Sequence, residues 1–327
     1  MDLIKFDLQN ELDFARQLMA GCAQITRSVQ DQHIVSQSKS DRSPVTIADY
    51  AVQAYVAQAI RARFPADTLV GEESSSTLLQ DQDLLSGVTS QVQALLPGAT
   101  SQQICEWIDD GKGQPSATSR FWVIDPVDGT KGFLRRMQYV TALALIIDNQ
   151  VLLAVLGCPN VSLYHYTGGL VYAAISRGAF WQPFEFPNRR FRIHVSSQTA
   201  LQEARLVRSF EDTHTNSGQI ESFVQFGGIS ADPVRMDSQA KYAILAAGQA
   251  DLLLRLPPND RPDYRENIWD QAPAYRVILE AGGQMTDALG QPLDFSTGVK
   301  LTHNQGIVAT NGHLHAQTLN ILEKIRA

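Results

Sequence analysis

FWVIDPVDGTKGFLRRMQYVTALALII, residues 121–147, places acids, glycines and a threonine between two apolar runs. Its aromatic and β-branched start predicts a strand over Phe121 to Ile124. Asp125 follows where that strand is expected to end, and Pro126 is expected to stop regular pairing because it has no N–H to donate. Asp125 and Asp128 are therefore predicted to lie three residues apart on a stiff turn.

This turn offers ligands for a hard divalent cation. Mg²⁺ prefers oxygen ligands such as carboxylates, and the Val127 carbonyl lies between the two acids. Gly129 permits a backbone geometry that a Cβ would hinder, and Thr130 adds a hydroxyl and an N–H. A lone DxxD before a glycine is more often an ordinary capped turn, so the pattern by itself leaves both interpretations open.

The longer string DPVDGTKGF, residues 125–133, resembles the DPIDGT signature of the inositol monophosphatase superfamily of Mg²⁺-dependent, lithium-sensitive phosphatases. Its continuation through KGFL is similar to the 3′(2′),5′-bisphosphate nucleotidase branch. Other elements resemble the family in the same order: GEE at 71–73, DSQAKY at 237–242, and WD at 269–270 before a small-residue helix and a glycine pair. The resemblance covers residues 43–312.

The resemblance implies an α/β (α+β) fold, a layered α/β/α/β/α sandwich of the sugar-phosphatase type with the site between two subdomains. Residues 1–200 would form an amino-terminal α+β domain with most metal ligands. Residues 201–327 would form a carboxy-terminal α/β domain with the substrate-binding helix and the last ligand. We place the boundary near residues 196–204, where small and polar residues accumulate.

The resemblance also implies two or three Mg²⁺ ions. Glu72, Asp125 and the Val127 carbonyl would hold the ion that activates water. Asp125, Asp128 and Asp270 would hold the ion that faces the leaving oxygen. Whether Glu73 contributes stays open.

Asp49 and Thr130 would form the catalytic dyad that orients the attacking water, and the N–H groups of Gly129 and Thr130 would bind phosphoryl oxygens. From the residues alone, Asp49 is equally explained as a favourable charge in a first helical turn. Asp109, in WIDDG, resembles a further family element and is equally explained as part of an acidic turn.

Ser238 and Lys241 are predicted to share one face of a helix start, where unsatisfied N–H groups favour a phosphate. The alternative is an N-cap followed by a solvated lysine. The resemblance implies that both residues, with Arg255, hold a second phosphate. His214 is a further candidate for substrate contact, although its segment EDTHTNSGQ departs from the branch.

The implied activity is hydrolysis of the 3′-phosphate of adenosine 3′,5′-bisphosphate to AMP and phosphate, and of the sulfated analogue. The alternatives are an inositol phosphate or sugar bisphosphate phosphatase, and a non-catalytic sensor of the bisphosphate. Five carboxylates and Thr130 favour catalysis, because binding alone does not need a pair that activates water.

Composition limits the partners. A net charge of −7 and a pI near 5.5 argue against a nucleic-acid backbone or an anionic membrane, and are compatible with a small anion bound locally. The resemblance implies that this anion is a nucleotide bisphosphate. Three cysteines without CxxC spacing suggest neither a disulfide framework nor a zinc site. Without a signal-like start or an apolar span, the chain is expected in the cytoplasm, as a monomer or homodimer.

The remaining pattern predicts helices over residues 8–30 and 48–64, and a surface insertion over 74–118 with a helix near 84–98. A meander of strands should follow, with turns at Asp148-Asn149 and Gly168-Gly169 and a strand over 163–166. Asp270 is expected to open a helix whose first turn contains Pro273.

Overall fold

The computed structural model describes residues 7–32, 37–38, 44–115, 120–210 and 215–326. The helices are α1 (Gln9–Asp31), α2 (Ile47–Arg63), α3 (Ser75–Leu78), α4 (Gln82–Gln93), α5 (Ser101–Asp110), α6 (Thr130–Leu134), α7 (Ser217–Gly227), α8 (Ala240–Ala246), α9 (Ile268–Glu280) and α10 (His315–Arg326). The strands are β1 (Gln37–Ser38), β2 (Pro44–Val45), β3 (Thr68–Gly71), β4 (Arg120–Asp128), β5 (Val140–Ile147), β6 (Gln150–Leu163), β7 (Tyr166–Ala174), β8 (Gly178–Pro183), β9 (Phe191–Ile193), β10 (Leu206–Arg208), β11 (Val234–Arg235), β12 (Leu252–Arg255), β13 (Gln284–Thr286) and β14 (Ile307–Thr310).

Two larger sheets organise the chain. The first has seven strands in the order β3-β4-β5-β6-β7-β8-β9 and is antiparallel except for the β3–β4 pair. The second has five strands in the order β11-β10-β12-β14-β13, with β10 parallel to both of its neighbours. The short strands β1 and β2 pair with each other.

The chain forms five layers with three apolar cores, the middle one of which extends to both sides of the central helix layer. Helices α1, α2, α4 and α5 cover one face of the seven-stranded sheet. Helices α8 and α9 lie between the two sheets and share one core with both. Helices α7 and α10 cover the outer face of the five-stranded sheet. Alternation of side chains in strand β12 produces this arrangement, since Leu253 faces the middle core while Leu252 and Leu254 face the outer one.

The predicted surface insertion is wrong. Leu84 and Val88 of α4 and Ile104 and Ile108 of α5 are buried in the first core. These two helices pack over the outer side of α2, which is therefore buried on nearly all of its faces instead of being an amphipathic surface helix. The glutamine-rich composition of this segment suggested exposure. Its few apolar residues nevertheless fall on one side of each helix, and that side is buried.

The meander is confirmed, with one turn displaced. Asp148 and Asn149 form the predicted turn with φ of 48° and 63°. Strand β6 continues to Leu163, and the next turn consists of Tyr164 and His165, so the strand predicted over 163–166 is wrong. The Gly168-Gly169 pair lies inside β7 and not in a turn. Position 169 requires a glycine there, because a Cβ would lie 2.7 Å from the Trp181 ring.

No helix within the described ranges combines the length and hydropathy of a transmembrane segment.

One buried histidine fixes the start of α10. His315 is 2% exposed, and its Nε2 and Nδ1 lie 3.0 and 3.1 Å from the hydroxyls of Thr286 and Thr310. The Thr286 hydroxyl donates to the Asp287 carbonyl, so it accepts from Nε2–H and leaves Nδ1 as an acceptor. Burial lowers the pKa of His315 from 6.5 to about 4.

This neutral histidine predicts a pH-dependent contribution to stability. The unfolded chain takes up the proton first as pH falls, so the contribution is complete above pH 6.5 and is lost towards pH 4. The free energy of unfolding of H315Q should lie below that of the wild type at pH 7, and the difference should shrink by up to ~1.4 kcal/mol per pH unit towards pH 4. Urea unfolding at several pH values measures it, and a constant difference would contradict this account.

Candidate active site

The central stretch forms a bulged strand end. The prediction that the strand ends at Asp125 is wrong. Strand β4 runs to Asp128, with a shift in register between the two acids. Pro126 causes the irregularity because it cannot donate to the ladder. Its carbonyl accepts from the Thr141 hydroxyl at 2.8 Å, and pairing resumes at Asp128. The bulge brings both carboxylates to the same end of the strand.

Gly129 and Ser238 form the contact between this turn and the second half of the chain. Gly129 has φ of +88°, and a Cβ there would lie 2.7 Å from the Ser238 Cβ. Ser238 also has a positive φ, 62°, which is unusual for a residue with a side chain. Its hydroxyl accepts from the Ala240 N–H at the start of α8. The N-cap of α8 is however Gln239, so the predicted N-cap at Asp237 or Ser238 is wrong by at least one residue.

Asp49 lies in the first turn of α2 and is 3% exposed. Its Oδ2 accepts from the Thr46 N–H and hydroxyl at 2.8 and 2.7 Å, which completes a capping box. The helix-start interpretation of Asp49 is therefore confirmed. Thr130 donates to the Val127 carbonyl at 3.2 Å. The joint catalytic role of Asp49 and Thr130 stays a prediction.

The two glutamates after β3 differ in burial. Glu72 is exposed, whereas Glu73 is 4% exposed. Gln53 of α2 fixes this segment: its Oε1 accepts from the Glu73 N–H, and its Nε2 donates to the carbonyls of Glu73 and Ile108 at 2.7 and 2.8 Å. Gln53 is itself fully buried. One side chain therefore holds the end of β3 against the end of α5.

Asp109 has a structural role. It lies in the last turn of α5 and not in an acidic turn. Its two oxygens accept from the N–H and the hydroxyl of Ser75, each at 2.9 Å. Asp109 therefore anchors the chain just beyond the two glutamates.

Asp125 is the centre of a group of acids. It is 2% exposed, and burial is the largest cause that raises its pKa well above the ordinary range. Negative charges add to the effect; they belong, in decreasing order, to Glu72, Asp128, Asp270 and Asp49. Each of the other four predicted carboxylates is thus close enough to Asp125 to raise its pKa.

The donor set fits a hard cation. Asp125 Oδ1 is buried and has no hydrogen-bond partner among the described residues. A buried carboxylate oxygen without a donor is costly, and its charged neighbours are negative, so a cation would suit this position. In the described ranges, no three acidic, histidine or cysteine side chains are already arranged to hold one ion. The carboxylates would therefore have to move closer together to bind one.

Asp270 is positioned by a helix with an internal proline. Helix α9 begins at Ile268, so Asp270 is its third residue and Pro273 lies in the second turn, not the first as predicted. Pro273 cannot donate to the Trp269 carbonyl four residues earlier. The Gln239 Nε2 donates to that carbonyl instead, at 3.2 Å.

Gln239 connects this helix to the central turn. Its backbone N–H donates to Asp128 Oδ2 at 2.5 Å, while its side chain reaches Trp269. Gln239 is 1% exposed. It therefore ties one predicted ligand, Asp128, to the residue that precedes another, Asp270.

Two cations lie beside the acids, the buried Lys241 and the half-buried Arg255. Lys241 is 7% exposed and donates to the Ser209 hydroxyl at 2.6 Å, so it is not a solvated lysine. Burial, and next the positive charge of Arg255, lower the pKa of Lys241 to about 8. Burial also raises the pKa of Asp128, although Lys241 and Arg255 oppose that shift. Both cations are thus within electrostatic reach of the acidic group.

One predicted site residue cannot be placed. His214 lies outside the described residues. Sequence reasoning missed Gln53, Gln239, Ser209 and Glu266, which position the predicted residues. The only available signal was the glutamine inside DSQAKY, because the other three occur in ordinary helical or loop patterns.

Comparison with known proteins gives close relatives. The sequence matches the Inositol monophosphatase family over residues 7–327. The 3′(2′),5′-bisphosphate nucleotidase 2 of Candida albicans is 35% identical, covering 97% of this chain and 98% of that protein. The 3′(2′),5′-bisphosphate nucleotidase of Emericella nidulans is 36% identical, covering 88% and 90%. That of Oryza sativa is 37% identical, covering 96% and 93%.

Solved structures share the fold. An IMPase from Thermotoga maritima superposes with a TM-score of 0.68 at 20% identity, covering 97% of this chain and 98% of that one. The inositol monophosphatase from Anabaena gives 0.65 at 22% identity, covering 97% of both chains. The expected layered α/β fold is confirmed.

Gln53 gives a stability prediction. Replacing it in Q53L takes the Gln53 side chain away from the N–H and the carbonyl of Glu73, while the Ile108 carbonyl loses one donor but keeps the Gly111 N–H. Since each buried group that loses its partner costs about 1–3 kcal/mol, the free energy of unfolding should fall by roughly 2 kcal/mol or more. Urea unfolding measures this loss. In the control Q93A, an exposed glutamine loses one bond to the Ala99 carbonyl, and the change should be small. Equal losses in both variants would contradict the role of Gln53.

Proposed function

Because the chain belongs to the inositol monophosphatase family, we propose that it is a Mg²⁺-dependent 3′(2′),5′-bisphosphate nucleotidase. It removes the 3′-phosphate of adenosine 3′,5′-bisphosphate, giving AMP and phosphate, and accepts the sulfated analogue. Relatives of 33–37% identity that carry this name support the activity.

The observation that carries the proposal is the pairing of two opposite charge clusters. Four other acids act on Asp125, whose Oδ1 has no partner among the described residues, and two cations, Lys241 and Arg255, act on Asp128 in the same group. A phosphate monoester needs neutralisation at the reacting phosphoryl group. A second phosphate needs a second, purely cationic site, which Lys241 and Arg255 provide together with the Ser238 hydroxyl.

The acidic cluster holds the metal in this proposal. Glu72, Asp125 and the Val127 carbonyl would hold one Mg²⁺, and Asp125, Asp128 and Asp270 would hold another. When bound, Mg²⁺ would supply positive charge to the phosphoryl group and lower the pKa of a neighbouring water. A cation would offset both the burial of Asp125 and the neighbouring negative charges, which together raise the pKa of Asp125.

The chain's own residues orient the reaction. In this proposal the Thr130 hydroxyl turns from the Val127 carbonyl and donates a hydrogen bond to Asp49, and the polarised hydroxyl oxygen orients the attacking water. The N–H groups of Gly129 and Thr130, at the start of α6, donate to phosphoryl oxygens. Water attacks phosphorus, the bond to the 3′-oxygen breaks, and the leaving oxygen takes up a proton.

Phosphate release in Mg²⁺ from three substrates tests the substrate assignment. Adenosine 3′,5′-bisphosphate should exceed inositol 1,4-bisphosphate and fructose 1,6-bisphosphate in kcat/KM by tenfold or more, about 1.4 kcal/mol of differential transition-state binding. Equal or reversed values would overturn the nucleotide assignment and leave the metal site standing. Binding of the bisphosphate without hydrolysis would point to the sensor instead.

The variant K241Q examines the cationic site directly. It removes the charge near the second phosphate but can still donate to Ser209. Its kcat/KM for the bisphosphate should fall about 10-fold or more, because a charge-assisted contact contributes ~1.5–3 kcal/mol. Its kcat/KM for adenosine 3′-monophosphate should change little. The charge-matched control K324Q alters an exposed lysine of α10 and should leave both values unchanged. Parallel losses on both substrates in K241Q would contradict the assigned role.

A further inference from the structure

Arg255 is held by a buried network that the proposed reaction does not use. Its Nε lies 3.1 Å from Glu266 Oε1, and its Nη2 lies 2.7 Å from Glu266 Oε2. The two side chains therefore meet in a bidentate pair. Glu266 is 6% exposed, and the Arg255 side chain is 21% exposed. Such a paired geometry fixes the plane of the guanidinium as well as its position.

Glu266 is anchored from behind. Gln271 Nε2 donates to Glu266 Oε2 at 2.8 Å, and Gln271 Oε1 accepts from the Tyr242 hydroxyl at 2.8 Å. A carboxylate only accepts, so the Gln271 amide has one possible orientation here and Tyr242 must be the donor. Gln271 and Tyr242 are 0% and 1% exposed. The network links α8, α9 and the end of β12.

The network leaves one edge of Arg255 for a ligand. A guanidinium has five N–H donors, and two of them point at Glu266. The opposite edge, which includes Nη1, makes no hydrogen bond to any described residue. The charge of Arg255 acts on both Lys241 and Asp128. Two like charges, Arg255 and Lys241, are thus held near each other, and an anion between them would relieve their repulsion.

We infer that Glu266 is a positioning residue: by occupying one edge of Arg255 it presents the other edge to the second phosphate of the substrate. The inference rests on the proposed function. It assigns the preference for a bisphosphate over a monophosphate to a pair in which Glu266 never touches the substrate. Shortening the carboxylate by one methylene draws Arg255 away while the charge is kept, so E266D separates geometry from electrostatics.

The experiment compares kcat/KM for adenosine 3′,5′-bisphosphate and adenosine 3′-monophosphate. In E266D the ratio of the two values should fall about tenfold, mainly through a higher KM for the bisphosphate. E266Q keeps the length but can accept at only one atom, and its ratio should lie between those of E266D and the wild type. Because both substrates meet the same folded molecules, the ratio is independent of any unfolded fraction.

Two further variants make the test specific. In R255K the preference should already be lost, and adding E266D should change the ratio no further. The matched control E280D alters a second glutamate that is paired with an arginine, Arg276, at 3.2 Å; Glu280 lies at the carboxy-terminal end of α9, whereas Glu266 precedes the start of that helix. Its ratio should equal that of the wild type.

The outcomes separate the two proposals. A wild-type enzyme without preference for the bisphosphate overturns the proposed function and this inference with it. A wild-type preference that E266D and E266Q both retain overturns the inference alone. A loss that also occurs on top of R255K, or equally in E280D, shows a general structural effect and likewise overturns it.

Discussion

The burial of Asp125 among other carboxylates is the constraint on which the rest of the site depends. Like charges removed from water raise each other's pKa, and the chain accepts this cost at one place. The surrounding structure limits it with donors aimed at single members of the group. Thr46 donates to Asp49, and the Gln239 N–H donates to Asp128. Asp125 Oδ1 receives no such donor from the described chain.

The contacts around the acids also join the two sheets. Asp270 comes from α9, whose apolar side packs in the core shared by both sheets. Pro273 frees a backbone carbonyl in that helix, and Gln239 binds it while its own N–H holds Asp128. Local irregularities therefore serve a common purpose. The β4 bulge and the helix proline each release a backbone group that a residue from elsewhere in the chain satisfies.

Much of the site could be predicted because its residues occur in short, local patterns. Asp125 and Asp128, with the glycine that follows them, and the short helix that begins after Ser238 all depend on neighbours within a few positions. The supporting contacts could not be predicted in this way. Gln239 reaches Asp128 across 111 positions, and Gln53 reaches Ile108 across 55. No periodicity records a contact of that kind.

The fold, too, could be predicted where local patterns determine it and not where distant contacts do. Strands and long helices with strong apolar patterns were predicted, but α4 and α5 were assigned to the surface because their sequences are rich in glutamine. Burial of a helix depends on which elements cover it, and this is a property of the whole chain. The helix start at Ile268 was missed for a similar reason, since only a distant side chain makes Pro273 tolerable there.

The most direct test of the account is the thermal stability of the wild type and D125N at pH 8, in EDTA and in Mg²⁺. Mg²⁺ at ~100 times its Kd should raise the wild-type Tm by roughly 5 °C, because binding to the folded state alone contributes about 2.7 kcal/mol. In EDTA, D125N should be at least as stable as the wild type, since it removes a repelling charge, and Mg²⁺ should barely shift its Tm. An equal Mg²⁺ shift in both proteins, or a D125N destabilised in EDTA, would contradict the account.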